Sequence, residues 1–361
     1  MTPINRRKCM QGTLTMMAGA MAAGTPHTVA SPPKTSSNGF KLAEIFGSPR
    51  SRDVRLASQI GVNHVIAGAG LGQVRREQYV ETLQKLRDDF AALGMAISGV
   101  ESHPVPAEKI KLGIEGRDQE IENYKWAIEA LSKVGIKMIC YNFMAGLGWS
   151  RTKTDRPERG GALTSEFNSE AAKQQGLTKW GEVSEAKMWD NITYFVKAVM
   201  PVADKFGVQM ALHPDDPPIS PLRGIGRILI NAKAFRRVMD LAPSPINGIT
   251  FCQANFKLMG EDIYSLAKEW CSRKKIFFVH FRDVQGTKDK FHETFHDNGP
   301  TDMVRMLQIY SKNGFNGPIR PDHAPTIEGE ANDRPGYAMG GKILAFGYMK
   351  GIMDALKLPY A

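Results

Sequence analysis

From Phe40 onward, short runs rich in β-branched and aromatic residues alternate with longer segments whose apolar positions recur every three or four residues. The short runs cover 41–46, 63–67, 95–102, 137–143, 208–214, 248–253, 276–283 and 318–323. Between them lie amphipathic helical patterns, among them 78–93, 117–134, 187–206, 261–271, 302–313 and 342–356. Strands joined by helices predict a parallel sheet, because parallel neighbours need a crossover connection. Eight such units in 361 residues predict an α/β fold of the closed (β/α)8 TIM-barrel type over 39–361. No GxGxxG follows the first run, which argues against a dinucleotide-binding sheet. The polar stretch 146–185 is too long for a simple connection, and predicts a segment inserted after the fourth strand, as a lid or an oligomer contact on the active face.

Four of these runs end on a side chain that can bind a metal: His213 after Leu212, Cys252 after Phe251, His280 after Val279, and Asp322 beside His323. In a barrel the strand ends converge on one rim, and the fifth to eighth strands are consecutive neighbours there. Two imidazoles, a thiolate and a carboxylate suit a divalent first-row metal: Mn²⁺, Fe²⁺, Co²⁺ or Zn²⁺. A loop after Asp322 and His323 then returns Tyr337 just before the last helical pattern. Asp215 and Asp216, held between Pro214 and Pro217, are placed to orient His213 or to bind sugar hydroxyls. His292 and His296 lack the His-Glu-x-x-His order and read as substrate contacts. Arg282 and Arg320 are candidates for a substrate carboxylate, or for structural ion pairs.

Charge changes the picture little. The formal charge is +10, but four of those charges, Arg6, Arg7, Lys8 and Lys34, stand in an acid-free leader. The remainder is scattered without a basic, aromatic-interleaved stripe, so nucleic acid is not expected as a partner. The four cysteines show neither CxxC spacing nor the density of a disulfide framework.

Residues 1–38 read as a twin-arginine export signal and linker. Asn5-Arg6-Arg7-Lys8-Cys9-Met10 precedes a weakly apolar stretch, 12–24, that is too short for a mature membrane span, and 31–38 is rich in Pro and Ser. The expected location is the periplasm or exterior, with no membrane attachment once the signal is cleaved. A disordered basic tail on a cytoplasmic protein is the alternative.

Glu101, Ile110-Lys111-Leu112-Gly113, Arg117-Asp118, Ile121-Glu122-Asn123-Tyr124, Cys140-Tyr141-Asn142-Phe143-Met144, Trp149, Arg151-Thr152, His213-Pro214-Asp215-Asp216-Pro217-Pro218, Phe251-Cys252, Arg320-Pro321-Asp322-His323 and Pro335-Gly336-Tyr337 occur in this order. Together they resemble the mannonate dehydratase family. The resemblance implies a TIM-barrel hydro-lyase of hexuronate catabolism that uses Mn²⁺ or Fe²⁺ to convert D-mannonate into 2-keto-3-deoxy-D-gluconate. It also implies that His213, Cys252, His280 and Asp322 are metal ligands, and that His323 and Tyr337 are the acid and base, with their roles undivided. The partner it implies is a small sugar acid, and a homo-oligomer is left open. Two other readings share the residues: a sugar isomerase or epimerase on the same barrel, and an exported, non-catalytic sugar-acid binding protein.

Overall fold

The computed structural model describes residues 39–68 and 71–361, so the signal and linker expected over 1–38 lie outside the described residues. The strands are β1 (Lys41–Phe46), β2 (His64–Ala67), β3 (Ala96–Glu101), β4 (Met138–Tyr141), β5 (Lys153–Pro157) and β6 (Leu163–Asn168). They continue with β7 (Gln209–Leu212), β8 (Asn247–Cys252), β9 (Ile276–His280), β10 (Val284–Thr287), β11 (Lys290–Glu293) and β12 (Pro318–Arg320). Eight of them close into a barrel in the order β1-β12-β9-β8-β7-β4-β3-β2, with every pair parallel. Each of the eight runs expected from sequence contains or overlaps one barrel strand. They were readable because strands such as β4, β8 and β9 are buried along their whole length, which makes them nearly continuous apolar runs.

A helix follows each barrel strand. Most begin on a side-chain cap: the Ser51, Ser184, Asn231, Asp262 and Asp302 side chains accept backbone N–H bonds at the starts of Arg52–Gln59, Glu185–Phe206, Ala232–Leu241, Ile263–Ser272 and Met303–Lys312. Each cap contributes about 1 kcal/mol. The helix expected from 187 starts at 185 because Ser184 accepts from the Lys187 amide. Between barrel and helices, Phe251, Phe256 and Trp270 pack with ring centroids 4.8 to 6.1 Å apart.

Two features differ from the sequence expectation. Several strands stop short of the expected run, so His213 lies one residue beyond β7 and Asp322 two beyond β12. Pro214 and Pro321 lack the N–H a ladder needs, and Asp322 takes a left-handed φ of 65°. The inserted segment is also more than a lid. Its β5 and β6 pair antiparallel with each other, and β6 pairs with β11, to give a four-stranded sheet in the order β10-β11-β6-β5. This sheet joins the loops after β4 and β9, and so caps the C-terminal rim of the barrel. Among the described residues, no helix is long and apolar enough to cross a membrane.

Candidate active site

His213, Cys252 and His280 each offer one ligand atom, and these three atoms all lie within 4.8 Å of one another. Cys252 and His280 end neighbouring strands and are register partners, so the ladder itself sets their spacing. His213 follows β7, with its amide bonded to the Tyr141 carbonyl at 2.7 Å. Its Nδ1 lies 2.7 Å from the Pro214 carbonyl oxygen. A carbonyl can only accept, so Nδ1 carries the proton and the Nε2 lone pair points inward. That Nε2 is 3.2 Å from Nδ1 of His280. Burial, reinforced by His280, lowers the His213 imidazole to about 4, and burial pushes the Cys252 thiol up to about 12. Two imidazole nitrogens and one thiol gathered within this distance are a donor set that a divalent metal fits: it would complete the nitrogens and stabilise the thiolate, which the nearby Arg282 also favours.

Asp322 adjoins this set. Its Oδ2 is 3.5 Å from His280 Nδ1 and 2.8 Å from Arg282 Nε, while Oδ1 is 2.7 Å from an Arg320 nitrogen. Burial would raise this carboxyl, but Arg320, His323, His280 and Arg282 together hold it well below the usual carboxylate range. A second trio, Glu101, Cys140 and His280, also converges. There Arg320 lies between the donors, at 3.2 Å from His280 Nε2 and 2.8 Å from Glu101 Oε1. A guanidinium in that position repels a cation, so Glu101 serves to hold Arg320 and to face His280.

His323 and Tyr337 meet directly, with Nε2 3.0 Å from the phenol oxygen. Nδ1 of the same ring lies 3.2 Å from Glu293 Oε1. Burial would raise the Glu293 carboxyl, but Arg282 and Arg151 hold it well below the usual range. It is therefore an acceptor, Nδ1 of His323 is the donor, and Nε2 is free to accept the Tyr337 O–H. Burial raises the Tyr337 phenol above its ordinary value, with Asp322 adding to the effect. Gly336 is required next to it: φ is +82°, and a Cβ there would sit 3.2 Å from the His323 Cβ.

These groups line one cavity of about 160 Å³, whose wall includes His213, His280, Asp322, His323, Tyr337 and Arg320. Asp216 also lines it, but its carboxylate is held by Arg151, at 2.5 and 3.2 Å, and by Arg282.

Four expected substrate contacts are not at the cavity wall. Asp215 is buried with its oxygens on Arg227 and on the Ile228 and Leu229 amides, and so fixes its own loop. Arg282 is spent on Glu293, Asp216 and Asn255, which makes it the structural ion pair. His292 lies on β11, where alternation turns it outward toward Glu158, 3.6 Å away, and turns Glu293 inward. His296 donates from Nε2 to the Pro321 carbonyl at 2.8 Å and so supports the loop that carries Asp322 and His323. Glu293, Arg151 and Glu101 are the residues whose roles sequence reasoning did not assign. The period-two alternation over 290–293 was the available signal for Glu293; nothing local marks the long-range pairing that brings Arg151 to it.

Comparison with known proteins agrees with this architecture. The profile of the D-mannonate dehydratase (UxuA) family matches residues 45–179 and 170–360. Mannonate dehydratase 2 of Halalkalibacterium halodurans is 35% identical, with 76% of this chain and 87% of that protein covered. Mannonate dehydratase of Streptococcus equi subsp. zooepidemicus is 34% identical over 76% of this chain and 83% of that protein. Among solved structures, mannonate dehydratase from Streptococcus suis serotype 2 superposes with a TM-score of 0.76 at 29% identity, covering 89% of this chain and 95% of that one. A xylose isomerase domain protein from Planctomyces limnophilus superposes at 0.57 with 14% identity, covering 88% and 99%, and shares the barrel fold. A family profile that spans nearly all of the barrel, and relatives above 30% identity along most of their own length, place the chain: it belongs to the mannonate dehydratase family.

Proposed function

We propose that this chain is a metal-dependent hydro-lyase that converts D-mannonate into 2-keto-3-deoxy-D-gluconate and water. The observation that carries the proposal is the pairing of His323 and Tyr337 at 3.0 Å on the wall of the cavity that also receives His213 and His280. His213, Cys252 and His280 would hold the metal, Mn²⁺ or Fe²⁺, with Asp322 as the fourth ligand. When bound, such a cation supplies a Lewis acid that stabilises charge developing on the substrate carboxylate.

The remaining steps belong to the protein. Glu293 holds His323 in the tautomer that leaves Nε2 as a base, positioned to take the proton from C2 of the substrate. Tyr337, kept protonated by burial, gives its proton to the C3 hydroxyl as the C3–O bond breaks and water leaves. The resulting enol tautomerises to the 2-keto-3-deoxy acid, and the proton on His323 passes back along the 3.0 Å contact to Tyr337. Arg320 lines the cavity, held by Glu101, Asp322 and Glu44, and of the two expected arginines it is the one placed to face a substrate oxygen.

The test is anaerobic loading with Mn²⁺ or Fe²⁺, followed by incubation with a panel of aldonates and detection of 2-keto-3-deoxy acids. Formation of that product from D-mannonate, abolished by chelation, is expected. Isomerised sugars with no loss of water would instead indicate the isomerase reading, and tight binding without product a binding protein. Export through the twin-arginine motif is a separate proposal, checked by fractionating cells that express the full chain.

A further inference from the structure

A second, larger cavity of about 620 Å³ lies against the first, and Trp149 and Tyr337 line both. Its other walls come from the end of β1 and the loop after it, including Phe46 and Ser48, and from the loop and helix after β12, including Pro335 and Met339. Two oppositely charged pairs line it. Lys342 donates to Glu44 Oε1 at 2.7 Å, and Arg334 to Asp53 at 2.8 Å. Glu44 and Lys342 are 1% and 2% exposed, yet Glu44 Oε2 and the Trp149 indole N–H have no hydrogen-bond partner. An unpaired buried carboxylate oxygen and an unpaired indole N–H are costly, and both belong to residues of this wall, where a ligand hydroxyl would satisfy them.

We propose that this outer cavity is a subsite for a second, neutral sugar unit, so that the chain accepts aldonic acids carrying a glycosyl substituent. Three observations choose that ligand class. The charges on the wall cancel in pairs, which suits an uncharged group rather than a second carboxylate. The pair Glu44 and Lys342 offers an adjacent acceptor and donor, which match neighbouring hydroxyls that both donate and accept. Trp149, Tyr337 and Phe46 supply the apolar faces that a pyranose ring covers, in the usual pattern of an apolar pocket with a few placed polar groups. The inner cavity, at about 160 Å³, has no room for such a unit, so the substituent must pass Trp149 and Tyr337.

The inference rests on the reading of the inner cavity as the aldonate site, and the test separates the two. Calorimetry on the Mn²⁺-loaded full chain compares D-mannonate with D-mannonate bearing a glucosyl unit on O4 or O6, and the readout is the ratio of the two affinities. In the unaltered protein at least one glucosylated acid is expected to bind about 10-fold tighter or better, which corresponds to about 1.4 kcal/mol. The double variant Glu44→Gln/Lys342→Met, which keeps the buried pair neutral overall, should bring the ratio to about one. Ser48→Trp, a change on an exposed loop that fills the cavity without altering the core, should push it below one. Mannonate bound with no advantage for either glucosylated form, or variants that leave the ratio unchanged, would overturn the subsite while the aldonate reading stands. Glucosylated acids bound with no affinity for mannonate would sink the aldonate reading and keep the subsite; binding of neither acid overturns both.

Discussion

The barrel rim and the four-stranded cap meet at the same cavity, but they are built in opposite ways. The rim delivers its groups from parallel strands buried on both faces, and Cys252 and His280 are placed by the ladder register. The cap delivers Glu293 from the half-exposed antiparallel strand β11 and Arg151 from the segment leading into β5, across a sequence separation of more than a hundred residues. The rim contributes donors for a cation. The cap contributes charge, closing a buried network in which Arg151 and Arg282 hold Asp216 and Glu293. The rim thus sets which metal donors meet, and the cap, through Glu293, sets the tautomer of His323.

Changes on the two sides should therefore fail differently. The largest effect is expected at the rim. Cys252→Ser or His213→Ala should lower metal affinity by about 100-fold or more, given that even supporting residues around a metal are worth about 10–100-fold. Metal analysis after gel filtration checks this, and full occupancy in both variants would remove them from the ligand set. In the cap, Glu293→Gln should leave the metal in place but strand two buried guanidiniums, costing about 3–5 kcal/mol of stability. Chemical denaturation reads that loss, and a cost below about 1 kcal/mol would show that the network does not hold the cap to the rim.

A change at the far end of the barrel provides a control on pH. His64 is buried with Nδ1 2.8 Å from Ser98 Oγ, and burial, with help from Lys41, lowers it from 6.5 to about 4. The unfolded chain takes up this proton first, so the contribution is intact above about pH 6.5 and falls as pH drops toward 4. By pH 5 the loss should be about 2 kcal/mol, and His64→Gln should flatten that slope. The smallest effect is expected at the outer edge of the cap, where Arg159 pairs with Asp297 at 2.9 Å in solvent. Arg159→Ala should cost less than about 1 kcal/mol, in contrast to the buried pairs one layer below.

The same contrast explains what could be read from the sequence. All eight barrel strands were legible because burial on both faces writes them as apolar runs, and the metal-capable residues at their ends followed from the topology. The cap was not legible: β5 reads Lys-Thr-Asp-Arg-Pro, mostly exposed, and β6 finds its partner only at β11. Without that pairing the sequence does not bring Arg151 and Glu293 together, and it leaves Arg282 open between a substrate contact and an ion pair. Strand alternation over 290–293 turns Glu293, not His292, toward the site.

The most direct test of the account measures metal content and formation of 2-keto-3-deoxy acid from D-mannonate on the same samples, for the unaltered chain and for Tyr337→Phe. The account predicts equal metal in both, with turnover in the variant reduced by about 10²–10⁴-fold, the usual range for removing a proton donor. Equal turnover in the two proteins would contradict it, and would take the proton chemistry away from the His323–Tyr337 pair.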